Sequence, residues 1–135
     1  PGVQTCALPV SEYIKTKDSY NMDAACQAAG LAAFTDYEYM LANVQKVRAT
    51  RARLMDALKG LGFCVPPSQS NFVFAQWNGA PSAKVIFERL RERAIIVRYF
   101  DSRRIDNALR ISVGTDEEID MLLNAIRQIL GKERT

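Results

Sequence analysis

Residues 106–120, DNALRISVGTDEEID, constrain the fold of this chain more than any other stretch. The first half alternates Leu109, Ile111 and Val113 with Arg110 and Ser112, the period of a strand buried on one side. The second half is a helix start: Thr115 stands where a cap is needed, and Glu118, three residues on, is placed to reciprocate. An apolar strand face and an apolar helix stripe have to find cover, and packing one on the other provides it. What this does not explain is Arg110, a cation near the middle of the strand.

The rest of the chain supplies the partners. Residues 1–19 are poorly patterned, with a short candidate helix over 11–17. From Asn21 a helix rich in small residues follows (Ala24, Ala25, Cys26, Ala28, Ala29, Gly30, Ala32, Ala33), and small side chains predict that it is packed closely. Thr35 with Glu38 repeats the capping signature and predicts a long helix to about Lys59, with Tyr37, Leu41, Val44, Leu54 and Leu58 in its apolar stripe. Gly60 and Gly62 supply its stop. A strand then begins near Ser70, with Phe72 and Phe74 on one face and Asn71, Val73 and Ala75 on the other. Ala83, Ile86, Phe87 and Leu90 share one side of the next helix. AIIVRYF is a second strand, alternating Ile95, Val97 and Tyr99 with Ile96, Arg98 and Phe100. Ile119, Leu122, Leu123, Ile126 and Leu130 form the stripe of the last helix, ended by Gly131.

The order is helix, long helix, strand, helix, strand, strand, helix. The short polar link at 101–107 suits an antiparallel pair of strands. The expected fold is therefore α+β: a two-layer domain with a small three-stranded, mostly antiparallel sheet and helices on one face.

Composition removes several functions. The chain has no histidine, which rules out Ser-His-Asp and Cys-His sites, histidine-ligated metals and an imidazole base built from these residues. Cys6, Cys26 and Cys64 show no CxxC spacing, and their odd number predicts reduced thiols in a cytoplasmic protein. A net charge of +3, with both signs interspersed, argues against a nucleic-acid binder. Arg89, Arg91 and Arg93 are mixed with Glu88 and Glu92, as on a solvated helix face. No apolar run is long enough for a membrane span, and no basic-then-apolar signal pattern opens the chain.

Alternation puts Arg110 and Ser112 on the sheet face away from the helices. If Phe72 and Phe74 point toward the helices, Asn71 shares that open face. Arg98 lies at the C-terminal end of its strand, within reach of the same region. An arginine on the wet face of an antiparallel strand ordinarily needs no further explanation. Two guanidinium forks facing one cleft, however, would make a site for carboxylate or phosphate, since a rigid strand holds each with little entropy left to lose.

ALRISVGTDEEIDMLLNAI, preceded by RAIIVRYF and by LGFCVPPSQSNFVFA, resembles the C-terminal small domain of the fold-type I aminotransferases, and most of all the histidinol-phosphate aminotransferase family. SYNMDAACQAAGLAAFTD is similar to that family's Tyr-Asn and alanine-rich helix, so the likeness runs from about residue 20 to 130 in order. The resemblance implies pyridoxal 5'-phosphate as cofactor and amino transfer between glutamate and a phosphorylated keto compound, imidazole-acetol phosphate, in histidine biosynthesis. It places Arg110 on the substrate's anionic end, Arg98 beside it as a second arginine, and Asn71 lining the same region. It also implies a cytoplasmic homodimer with active sites built across the subunit interface.

The departures are equally specific. The family holds its cofactor through a lysine in a Ser-Lys segment followed by Gly-x-Arg, within a large domain. No Ser-Lys occurs here, and Lys15, Lys17, Lys46, Lys59, Lys84 and Lys132 fall on expected helices, tails or surface. The expectation is thus a small domain over 20–135, preceded by an unmatched leader over 1–19 and separated from its large domain. Such a chain would neither hold the cofactor covalently nor turn over alone. Other branches, among them threonine-phosphate decarboxylase and amino-acid aminotransferases, share the small domain. Outside the class stands a ferredoxin-like interaction module. An RNA-binding version would need aromatics on the open face, whereas Phe72, Phe74 and Tyr99 read as core.

Overall fold

The computed structural model describes Lys15 and residues 22–131. The expected 11–17 helix and 1–19 leader, Lys15 apart, lie outside the described residues, as do Lys17 and Lys132. The chain divides into two compact units, 1–40 and 41–135.

In the first unit, α1 (Ala24–Thr35) is capped by Asp23, whose carboxylate accepts from the Cys26 N–H at 2.8 Å. That bond holds the Asp23 carboxyl below its ordinary range. α1 buries none of its residues, and Leu31 and Phe34 stand exposed. A second helix, α2 (Tyr37–Gly60), begins here and continues into the other unit. The cap at its start differs from the expected one. Thr35 is the last residue of α1, and its hydroxyl donates to the carbonyls of Leu31 and Ala32, both at 3.0 Å. Asp36 takes over the capping role, accepting from the Tyr39 N–H at 3.3 Å. Thr35 still has helical backbone as the last residue of α1, whereas Asp36 has left the helix, as a cap residue must.

The second unit is the two-layer domain. Its sheet is fully antiparallel in the order β1 (Phe72–Gln76), β3 (Ala108–Ser112), β2 (Arg98–Tyr99). β2 is much shorter than AIIVRYF predicted. The N–H groups of Arg93, Ala94 and Ile95 donate to Leu90 and Arg91 carbonyls at the end of α3 (Ala83–Glu92), and Ala94 takes φ +58°. Those bonds keep the segment's start off the sheet, yet its alternation persists, with Val97 buried and Ile96 exposed.

Helices cover one face. Leu54 and Leu58 of α2, Ile86 and Leu90 of α3, and Ile119, Leu122 and Ile126 of α4 (Asp116–Ile129) form one core with Val73, Ala75, Leu109 and Ile111. The stripe expected on α2 is only partly buried: Val44 and Tyr37 are exposed. Gly62 terminates α2 in the left-handed region at φ +98°, where the Phe63 N–H reaches the Leu58 carbonyl at 3.0 Å. The capping box at α4 is present in full, Thr115 Oγ1 accepting from the Glu118 N–H and Glu118 from the Thr115 N–H at 2.8 Å. Three acidic residues, Asp116, Glu117 and Glu118, fill the first turn at the positive end of the helix dipole. No helix among the described residues is long and apolar enough to cross a membrane.

β1 is turned over relative to expectation. Val73 and Ala75 face the helices at 0% exposure, while Phe72 and Phe74 are half-buried in the other phase. Both sides of this strand are apolar, so hydrophobicity alone does not choose between them. The helix side takes the small pair, and the space beyond its end is filled by Trp77, whose ring lies 4.7 Å from Phe63.

Candidate functional site

Register brings the two expected arginines together. Arg110, on the central strand, has Phe74 as its Cα partner on one side and Arg98 on the other. Direct cross-strand partners point to the same face and lie about 4.5–5.5 Å apart at Cα. Arg98 and Arg110 are thus neighbours on the sheet face away from the core helices, and both are exposed. Like charges placed opposite one another destabilise a sheet pair, so the arrangement is not one that packing would favour.

Neither guanidinium has an ion pair or hydrogen bond among the described residues. Arg48, Arg89, Arg91, Arg103 and Arg104 likewise have no such partner among the described residues, whereas Arg51 donates to the Ser70 carbonyl at 2.7 Å, and Arg93 to the Ala125 carbonyl and Gln128 side chain. Arg53 donates to Asp116 at 2.9 Å and also pairs with Asp120, tying α2 to α4. The Thr50 hydroxyl joins that cluster at 3.0 Å, and it, followed by Arg53, holds the Asp116 carboxyl below its ordinary range.

Aromatic rings support the free pair instead. The Arg110 Cζ lies 5.0 Å from the centroid of Phe72, and the Arg98 Cζ 5.4 Å from that of Phe100. A guanidinium resting on a ring uses its π-face and keeps its N–H edge available. Ser112 adds a hydroxyl on the same face, exposed one pleat along from Arg110. The result is a shelf carrying two cations with unoccupied donor forks, chemistry suited to a carboxylate or a phosphate.

Asn71 stands differently. It precedes β1, is exposed, and lies in phase with Val73 and Ala75; its carbonyl accepts from the Val113 N–H at 2.8 Å. The condition that would have set it beside Arg110, phenylalanines facing the helices, is not met. Sequence reading missed Phe72 and Phe100 as site residues and assigned Phe72 and Phe74 to the core. Only Tyr99 of the three aromatics so read is on the helix side, stacked on Phe87 at 5.7 Å. The available signal was an aromatic two residues from Arg98 in the same strand phase.

The antiparallel α+β architecture defines a class of domain, and comparison with known families gives the same class. The family model of class I and II aminotransferases matches residues 7–126, and the chain belongs to that family. The match takes in part of the 1–19 segment. Among curated relatives, the chain is 45% identical over 122 residues to histidinol-phosphate aminotransferase of Microcystis aeruginosa, covering 90% of this chain and 35% of that protein. It is 47% identical over 116 residues to histidinol-phosphate aminotransferase 1 of Nostoc sp., covering 86% and 33%. The crystal structure of histidinol-phosphate aminotransferase from Sinorhizobium meliloti in complex with pyridoxal-5'-phosphate superposes with a TM-score of 0.77 at 26% identity, over 90% of this chain and 33% of that one. The chain spans about a third of the length of these relatives.

Proposed function

We propose that this chain is the C-terminal small-domain portion of a pyridoxal-phosphate-dependent aminotransferase that exchanges an amino group between glutamate and imidazole-acetol phosphate. In this reading Arg110 and Arg98 together grip the substrate's anionic end, the carboxylate of glutamate in one half-reaction and the phosphate in the other. Asn71 is a more distant contributor at the entry to β1. The carrying observation is the register itself: two exposed arginines opposite each other on the sheet face away from the core helices, with no carboxylate paired to them among the described residues.

The residues described here do not fit a covalent cofactor site. Lys46 and Lys59 on α2 and Lys84 on α3 are exposed on helices, and the sequence contains no Ser-Lys. Pyridoxal phosphate, where bound, supplies the electron sink for amino transfer. We place the lysine and phosphate cup that hold it in polypeptide beyond these residues, in a cytoplasmic homodimer.

The test uses the complete enzyme that carries this chain. It should transfer the amino group of histidinol phosphate to 2-oxoglutarate, and Arg110→Ala should lower kcat/KM about ten- to hundredfold, mainly through KM. That range corresponds to the roughly 1.5–3 kcal/mol of a charge-assisted hydrogen bond. An Arg110→Ala enzyme with undiminished kcat/KM would overturn the assignment. The 135-residue chain alone should show no absorbance band of a lysine adduct with added cofactor.

A further inference from the structure

We propose that Phe72 is the positioning residue for Arg110, holding the guanidinium by its face so that its donor edge is presented to the incoming anion. The inference rests on the anion-clamp reading above and adds to it the group that orients the clamp.

An arginine side chain on a solvated strand has many rotamers, and something must select one if the fork is to meet a planar or tetrahedral anion in register. A carboxylate partner would do so, but it would occupy the same N–H edge that the ligand needs. It would also cancel the charge. Neither Arg110 nor Arg98 has such a partner among the described residues. Repulsion from Arg98, its Cα partner, pushes the Arg110 head away from the β2 side. On the β1 side, Phe74 is directly opposite and Phe72 lies diagonally across. The diagonal is the one used, with Cζ 5.0 Å from the Phe72 centroid. Long side chains reach diagonal neighbours in an antiparallel pair.

Phe72 is itself well held. Its carbonyl accepts from the Ser68 hydroxyl at 2.6 Å and from the Ser70 hydroxyl at 3.2 Å, which fixes the start of β1. The ring is half-buried, and it is one face of it that meets Arg110. The Phe100 ring also lies against a cation, 5.4 Å from the Arg98 Cζ, though from two residues along the same segment. Both cations of the shelf are therefore seated on rings, an arrangement that leaves charge and donors intact.

The experiment is side-chain NMR of the arginine Nε–Hε groups in the 135-residue chain, with inorganic phosphate as probe. In wild type, the Arg110 Hε should sit upfield through the Phe72 ring current and should titrate with phosphate. In Phe72→Leu the upfield shift should vanish and phosphate binding should weaken about two- to fivefold, the range of an exposed cation–π contact. Phe72→Tyr, which keeps a ring face, should restore both readings; loss of a merely structural side chain would not be rescued in this paired way. Wild-type phosphate affinity in Phe72→Leu overturns the positioning role and leaves the clamp standing. An upfield-shifted Arg110 that ignores phosphate overturns the clamp, and the positioning role with it. An unshifted Arg110 Hε in wild type refutes the stacking without need of any variant.

Discussion

The start of α4 allows a prediction in which two adjacent substitutions part ways. Thr115→Ala removes the hydroxyl that accepts from the Glu118 N–H and frees the Glu118 carboxylate from its reciprocal geometry. Loss of such a cap costs about 1 kcal/mol, within a range of roughly 0.5–2. The first turn also carries Ile119, 2% exposed in the core, so fraying there is coupled to unfolding of the domain. For a domain of this size, about 1 kcal/mol lowers Tm by roughly 4–8 °C. Gly114→Ala acts on the other half of the box. A Cβ at Gly114 would press on the Glu118 carboxylate oxygen, displacing it from the Thr115 N–H while leaving the Thr115 hydroxyl in place. That loses about half the motif, roughly 0.5 kcal/mol. Gly114 is not in the left-handed region, so alanine also stiffens the unfolded chain, stabilising by about 0.4–1 kcal/mol. The two terms nearly cancel. Thermal and urea unfolding followed by circular dichroism, with equal m-values, should show Thr115→Ala clearly destabilised and Gly114→Ala close to wild type. Equal losses for the two variants would refute the reasoning, because they would mean that the glutamate arm, and not the threonine hydroxyl, dominates the cap.

Two further outcomes are expected. Asp116 is held below its ordinary carboxyl range by Thr50 and then Arg53, so its share of stability is fully present above the unfolded carboxylate pKa and is lost as pH falls through the lower, folded value. A carboxyl titration by NMR should place its midpoint below 3.8, and Asp116→Asn should flatten the acid limb of the stability profile; a midpoint at or above 3.8 would contradict the assignment. Met22, Leu31, Phe34, Tyr37, Tyr39 and Met40 are all exposed in the first unit, and apolar surface of that kind promotes self-association. Sedimentation of the isolated chain should therefore show concentration-dependent association that Phe34→Glu reduces, and a monomer at high concentration would count against it.

Local chemistry was legible from the residues alone. The alternation about Arg110, the Thr115–Glu118 box, the glycine stop after α2 and the order of elements all depend on neighbours within a few positions, and each is found as expected. The same locality explains the near miss at α2, where Thr35 and Asp36 are both competent caps and the extension of α1 through Thr35 left the role to Asp36. Resemblance of whole motifs identified the family, because an ordered set of weak signals is more specific than any one of them. Tertiary structure alone settled which side of β1 is inside. Alternation defines two faces but does not rank them when one holds Phe72 and Phe74 and the other Val73 and Ala75. Register, likewise, comes from pairing across sequence separations that no local pattern encodes. It set Arg98 opposite Arg110 and Phe72 diagonal to it, and so turned two isolated cations into one shelf.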